Sequence, residues 1–330
     1  MNRISVDPPV SPPRLPHHRQ PARGFLAVVL IIAAALIGAA CARTAAPLDA
    51  PGTSARATAP PSVPIPIVAA ENVYGDLARQ IGGDRVAVTS ILKDPTVDPH
   101  EYDSTVADAK AVAGARIVIK NGLGYDAFVD RLLAASPRPD RIVIDVGHLT
   151  GHRDGDNPHL WYDPATMPRV ARSLADTLSR LDPSDAGYFA RRLQEFQASE
   201  AAVDDRIAAI RARHAGTRVL ATEPVLDYLT EALGLVVVDR DGAFQRAVEA
   251  GNDPPAAAVV AFREQITTRA VKVLIYNRQT VTPVTTQMLA LARQTGIAVV
   301  PVSETEPEGM TYQQWMLDQL SRLDQALSSP

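Results

Sequence analysis

The sequence predicts an α/β protein of two lobes, each a parallel sheet covered by helices, joined by one long rigid helix. Three observations carry this expectation. Strand-like and helix-like segments alternate from Ile65 to about residue 182. A helical run of about thirty residues then opens at Pro183. After Gly216 the alternation resumes and continues almost to the last residue.

Ahead of this pattern the chain is of another kind. Residues 1–66 hold 12 of the 27 prolines, and six Arg against two Asp give them a charge of +4. Arg14, Arg19 and Arg23 precede a small-and-apolar stretch at 25–42 that contains the single cysteine, Cys41. A basic start, an apolar run and a small-residue exit describe an export signal. Residues 1–41 therefore read as a signal peptide whose end resembles a bacterial lipobox, with Cys41 as the lipidated residue. Leu36 stands five residues before Cys41, whereas a lipobox usually has Leu three before. A retained membrane anchor and an ordinary cleaved signal are the other two readings, and each exports the remainder. Residues 42–64 are rich in Pro, Ala, Ser and Thr without apolar periodicity, as expected of a disordered tether.

The first lobe is expected over residues 65–182. Residues 65–70 form a short apolar run, and Val73, Leu77 and Ile81 then recur at helical spacing. Strands are expected at 86–92, 115–120 and 141–146, with helices at 106–112, 127–134 and 166–181. The connecting helix, 183–215, carries Phe189, Leu193, Phe196, Val203, Ile207 and Ile210 on one stripe, with Glu200 in the skipped turn. At about 1.5 Å per residue it spans roughly 45 Å, enough to lie along both lobes. The second lobe, 216–330, is expected to hold strands at 218–221, 235–238, 271–276 and 298–302. Its helices fall at 225–232, 255–267, 283–295 and 312–327.

Composition excludes several classes. One cysteine in 330 residues rules out an internal disulfide and a thiolate zinc cluster. A net charge of −4 argues against nucleic acid as a partner. GxGxxG and GxxxxGK[ST] phosphate loops are absent, as are the GxSxG elbow and the HExxH helix.

Four residues stand out as candidate ligands. His100, in Asp98-Pro99-His100-Glu101-Tyr102, follows a strand end, and His159, in Asn157-Pro158-His159-Leu160, precedes a helix. Each comes directly after a proline, whose fixed φ limits loop freedom. Glu223 and Glu304 follow the apolar strands 218–221 and 298–302. Ligands of α/β sheets gather beyond the carboxyl ends of strands. Two imidazoles from one lobe and two carboxylates from the other would close a four-residue site whose charge of −2 balances a divalent cation.

From about Ile67 to Leu327 the chain resembles the solute-binding lipoproteins of bacterial ABC importers for zinc and manganese, the cluster A-I family. The matching segments are VDPHEYD around His100, NGLGYDAFVDRL from Asn121, NPHLWYDP around His159, TEPVLDYL around Glu223 and the terminal ETEPEGMTYQQWM. The resemblance implies two α/β lobes joined by a stiff helix, with the metal held between them. It places the family's ligands on His100, His159, Glu223 and, where Asp is usual, Glu304. Glu306 and Glu308 compete for that fourth place. Zinc-type members carry a His-rich loop before the second ligand, and here it is reduced to His148 and His152.

Two imidazoles and two carboxylates suit Zn²⁺ in a tetrahedron, or Mn²⁺ if the carboxylates chelate, with Fe²⁺ a lesser option. Four protein ligands leave a tetrahedral ion no open position for water, which favours carriage over catalysis. The expected protein is not an enzyme. It is an exported, membrane-anchored monomer that captures the ion on the outer face of the cytoplasmic membrane and passes it to an ABC permease. A surface adhesin-like lipoprotein without transport and a metal-dependent hydrolase are the alternatives. Asp98 and Asp103 are expected to orient His100, Asp163 to cap a helix, and His214 to answer the negative end of the long helix. Trp161, Tyr162 and Trp315 are expected in the core, and Asn277 and Arg278 follow a strand without an assignable role. Loss of metal is expected as pH falls through about 6, near the ordinary pKa of histidine.

Overall fold

The computed structural model describes residues 63–240 and 242–329. The signal at 1–41, the lipidation of Cys41 and nearly all of the 42–64 tether lie outside these residues. No helix among the described residues is long and apolar enough to cross a membrane.

The first sheet is formed by β1 (Ile65–Glu71), β2 (Val86–Leu92), β3 (Ile117–Lys120) and β4 (Ile142–Asp145), in the order β2-β1-β3-β4. All its pairs are parallel, with Ile67 opposite both Val88 and Ile117. Helices α1 (Asn72–Gly82), α2 (Val106–Gly114), α3 (Ala127–Ala135), α4 (Val146–Thr150) and α5 (Thr166–Leu181) cover it. The apolar run of β1 is buried from Ile67 onward, as a parallel strand covered on both faces should be. On α1, Val73, Leu77 and Ile81 form a fully buried stripe. The helix stops at Gly83, whose φ is +53°, and a Cβ there would collide with the hydroxyl of Tyr188 on the long helix.

That helix, α6 (Ala186–His214), has 29 residues and opens with a single 3-10 turn over Pro183–Asp185. Phe189, Phe196, Val203, Ile207 and Ile210 are buried, and Leu193 is half-buried. Glu200, in the skipped turn, is buried too, and burial raises its pKa to about 7. The helix packs against α1 and α5 of the first lobe and against the last helix of the second. His214 at its end meets Asp324 at 3.1 Å, an acidic partner added to the helix dipole.

The second sheet repeats the plan with β5 (Arg218–Ala221), β6 (Val236–Val237), β7 (Val273–Asn277) and β8 (Ala298–Val302) in the order β6-β5-β7-β8, again all parallel. Its helices are α7 (Asp227–Ala232), α8 (Ala243–Glu249), α9 (Ala256–Thr267), α10 (Pro283–Thr295) and α11 (Tyr312–Ser328). One continuous apolar core runs from Ile67 through Phe196 to Trp315 and Leu323, so both lobes and the connector share it. A smaller core around Leu220, Phe244, Phe262 and Leu274 fills the other face of the second sheet. Trp161, Tyr162 and Trp315 lie in the shared core, each at 1% exposure or less.

Two elements depart from the sequence expectation. The short helix α4 forms inside what reads as a loop, capped by Asp145, which accepts from the backbone N–H of His148. Helix α8 forms between β6 and α9, where no element is expected. Its only pair of large apolar side chains at helical spacing is Phe244 and Val248, too short a stripe to register as periodicity.

Candidate metal centre

In both sheets the strand order reverses between the two central strands, leaving a crevice at their carboxyl ends. In the second lobe this switch point lies between β5 and β7. Glu223 follows β5 and Asn277 ends β7, and the Asn277 amide donates to Glu223 Oε2 at 2.9 Å. The first lobe supplies loop residues from the same end of its sheet.

His100 sits in a 3-10 turn over Pro99–Glu101. Pro99 opens the turn, and Asp98 caps it by accepting from the His100 backbone N–H at 2.9 Å. Asp98 therefore holds the backbone, not the imidazole ring, and its other oxygen accepts from Thr280 Oγ1 at 3.2 Å. No hydrogen bond joins Asp103 to His100 among the described residues, so ring orientation by these two carboxylates is not what the structure contains. The His100 side chain is 25% exposed and forms the rim of the site.

His159 is fully buried. Its Nδ1–H donates to Asn157 Oδ1 at 2.7 Å, and its backbone N–H donates to the same oxygen at 3.0 Å. The Asn157 amide nitrogen donates to the carbonyl of Pro224 in the second lobe at 2.7 Å, which fixes which way the amide faces. With Nδ1 carrying the proton, the lone pair of neutral His159 is on Nε2 and points into the cleft.

Glu304 enters from the second lobe just beyond β8 and is 2% exposed. Its Oε2 lies 3.2 Å from His159 Nε2 and 3.5 Å from His100 Nε2, and it accepts from the Tyr125 hydroxyl at 2.7 Å. Its Oε1 accepts from the Asn277 amide at 2.6 Å. His100, His159 and Glu304 each offer a ligand atom within 4.8 Å of the others. Two donors bound about 2.1 Å from one ion are roughly 3.0 Å apart at 90°, roughly 3.4 Å apart at the tetrahedral angle and roughly 4.2 Å apart when opposite. Each imidazole nitrogen is thus already at a separation from Glu304 Oε2 that two ligands of one cation show.

Glu223 does not join that set, although it is 3% exposed and tied to it through Asn277. Its Oε1 is buried without a hydrogen-bond partner, as a carboxylate oxygen awaiting a cation would be. Glu306 and Glu308 line another cleft, of about 610 Å³, with Asn72, Asp76, Arg79 and Lys93. That removes them from contention with Glu304. Asp163 does not occupy the capping position expected of it: the N-cap of α5 is Ala165, which makes no side-chain cap bond, and Asp163, two residues earlier, accepts from Ala165 N–H and Thr166 Oγ1 in the turn that leads into the helix.

The electrostatics separate the carboxylates. Burial opposes charge on Glu304, but the hydrogen bonds and charges of His100 and His159 outweigh it and hold its pKa below the usual carboxylate range. Glu223 goes the other way, with burial first and then Glu304 and Glu249 raising it well above that range. Burial also opposes charge on His100, yet Glu304, Glu249 and Asp98 raise its pKa to about 9.

Glu306 is a separate case with a measurable consequence. It is 4% exposed, its Oε2 has no partner, and burial with nearby Asp76 raises its pKa to about 9 despite Arg79. An acid whose folded pKa is raised loses the folded state stability as pH climbs from its unfolded value toward the folded one. Glu306→Gln is expected to stabilise the protein by about 1 kcal/mol or more at pH 8 and by little at pH 5. Thermal melts of both proteins at the two pH values check this, and equal shifts at both would refute it.

Three residues of the site have weak or no sequence signal. Tyr125 lies within the NGLGYDAFVDRL segment but is one aromatic among many. Asn277 becomes visible only once β7 is placed beside β5. Glu249 ends the unexpected helix α8, and Phe244 with Val248 between Gly242 and Gly251 is the only pattern that announces it.

Two parallel-sheet lobes, a long connecting helix and a buried His/carboxylate cleft between them define a bilobal solute-binding fold with a cation-type site. Residues 67–326 match the family model of the zinc-uptake complex component A, periplasmic (ZnuA), and the chain belongs to that family. It is 28% identical over 222 residues to the manganese-binding lipoprotein MntA of Halalkalibacterium halodurans, covering 65% of this chain and 69% of the relative. Alignments with a metal-binding protein of Treponema pallidum (21% identical) and with the manganese ABC transporter substrate-binding lipoprotein PsaA of Streptococcus pneumoniae (25% identical) each span 46% of those proteins. Among solved structures, ZnuA superposes with a TM-score of 0.68 at 18% identity over 81% of this chain and 100% of that one. FpvC of Pseudomonas aeruginosa, solved with Mn²⁺, gives 0.66 at 21% identity over 80% and 98%.

Proposed function

We propose that this protein is the extracytoplasmic solute-binding component of an ABC importer. It captures Zn²⁺ or Mn²⁺ between its lobes and delivers the ion to the permease subunits in the membrane. The observation that carries the reading is the convergence of His100, at the rim, with the buried His159 and Glu304: each offers a ligand atom within 4.8 Å of the others, and Glu304 Oε2 lies 3.2 Å from His159 Nε2 and 3.5 Å from His100 Nε2. Glu223, with its unpartnered Oε1, supplies the fourth donor. The names of its relatives, a manganese-binding lipoprotein and a zinc-uptake component, support the same cargo class. Anchoring through a lipid on Cys41 and a monomeric state complete the proposal. Binding suffices for this role, and no catalytic step is assigned to the site.

The full chain, stripped with a chelator and titrated with Zn²⁺ or Mn²⁺, is expected to take up one ion per molecule. The double variant His100→Ala/His159→Ala is expected to take up none. Wild-type protein that binds neither ion, or a double variant that binds as well as wild type, would remove the assignment.

A further inference from the structure

We infer that Glu249 is an additional metal donor, closing the site from its solvent side and biasing it toward an ion that accepts more than four ligands. The inference rests on the importer reading above and adds a residue from an element that the four-ligand set does not use. Glu249 Oε1 lies 3.7 Å from His100 Nε2 and 3.9 Å from His159 Nε2. Both separations fall between the cis and trans values for donors on one ion, roughly 3.0 and 4.2 Å, although Glu249, like Glu223, stands outside the set of residues whose ligand atoms all lie within 4.8 Å of one another. Its Oε2 is buried without a hydrogen-bond partner, while the side chain as a whole is 20% exposed. One face of this carboxylate thus meets solvent and the other meets the two imidazoles.

The residue is held there by packing. Phe244 and Val248 of α8 are buried in the smaller core, and Phe244 stacks on Phe262 with ring centroids 3.9 Å apart. The buried side chain of Gln245 donates to the carbonyl of Ala221 at 3.0 Å, which ties α8 to the end of β5. Glu249 is the last residue of the helix, where exposed carbonyls make a negative charge unfavourable. A cation opposite that carboxylate offsets the cost.

The donor count then decides the chemistry. His100, His159, Glu223, Glu304 and Glu249 make two nitrogens and three carboxylates. Tetrahedral Zn²⁺ is complete with four, whereas Mn²⁺ takes five or six and prefers hard oxygen. Glu249 should therefore matter more for Mn²⁺ than for Zn²⁺.

The test is the full chain, stripped of metal and titrated with Mn²⁺ (free ion followed by electron paramagnetic resonance) and with Zn²⁺ (against a chelator). Wild type is compared with Glu249→Gln, which keeps the shape, and with Glu249→Asp, which keeps the charge but withdraws it. Both variants are expected to bind Mn²⁺ about 10- to 100-fold more weakly while Zn²⁺ affinity changes by less than about threefold. Unchanged Mn²⁺ affinity, or equal losses for both ions, overturns the role of Glu249 and leaves the importer reading intact. Wild-type protein that binds neither ion overturns both.

Discussion

Glu304→Ala is expected to destabilise the metal-free protein by about 3–5 kcal/mol, the cost of removing one partner from a buried charged cluster. The reason is the number of groups that converge on one carboxylate. Oε2 faces His159 Nε2 at 3.2 Å and His100 Nε2 at 3.5 Å and accepts from Tyr125, while Oε1 accepts from Asn277. Alanine leaves a fully buried imidazole, a buried phenol and a buried amide without that acceptor. Glu304→Gln keeps the volume and one carbonyl oxygen, so it should fold with a much smaller loss. It lacks the charge that a divalent ion needs, and its metal affinity should fall by at least about 100-fold. Urea denaturation of the apo forms and chelator competition measure the two effects. An alanine variant within about 1 kcal/mol of wild type would show that Glu304 is not the hub of the cluster.

The second large effect is on pH dependence. Metal binding needs the lone pair on His100 Nε2, but in the metal-free protein the His100 pKa is raised to about 9, with Glu304 and Glu249 outweighing the burial that opposes its charge. At pH 7 the incoming ion must displace a proton. Affinity should therefore rise by at least about tenfold per pH unit, the share of the His100 proton, from pH 7 until it levels near 9. The ordinary histidine value would instead place the change near pH 6, as the sequence alone suggests. The apo protein should respond oppositely. A base whose folded pKa is raised contributes stability that is complete below about 6.5 and is lost as pH climbs through about 9. Calorimetry in buffers of different ionisation enthalpy should find at least one proton released per ion at pH 7, from His100, with Glu223 adding to it because burial raises its pKa. Affinity that stays level between pH 7 and 9 would refute the coupling.

Much of the fold is legible in the sequence because parallel strands buried on both faces leave short apolar runs that punctuation isolates. Helix α5 and strands β2, β5 and β8 fall where the pattern predicts them. What the pattern cannot carry is contact between distant segments. Glu304 could be picked out as a carboxylate following a buried strand, but so could Glu223. Only the fold shows that the first touches both imidazoles and the second waits one amide away, on Asn277. Glu249 escaped for a local reason, since a seven-residue helix with one large apolar pair has no periodicity to detect. Asp98 misled for a related one, because a carboxylate two residues before a histidine reaches the backbone N–H more easily than the ring.

The Asn157 bridge has a consequence for unloading. One amide spans the seam, with its oxygen on the Nδ1–H of His159 and its nitrogen on the carbonyl of Pro224, and Tyr228 of the second lobe donates to the Asn157 carbonyl at 2.9 Å. Parting the lobes far enough to break the Pro224 contact frees that amide to turn over. The imidazole would then lose the acceptor that pins its tautomer and its direction, and Nε2 would become a weaker, less well aimed ligand for the ion. A slight parting at the seam thereby becomes a chemical instruction to let go, without any bend in the long helix.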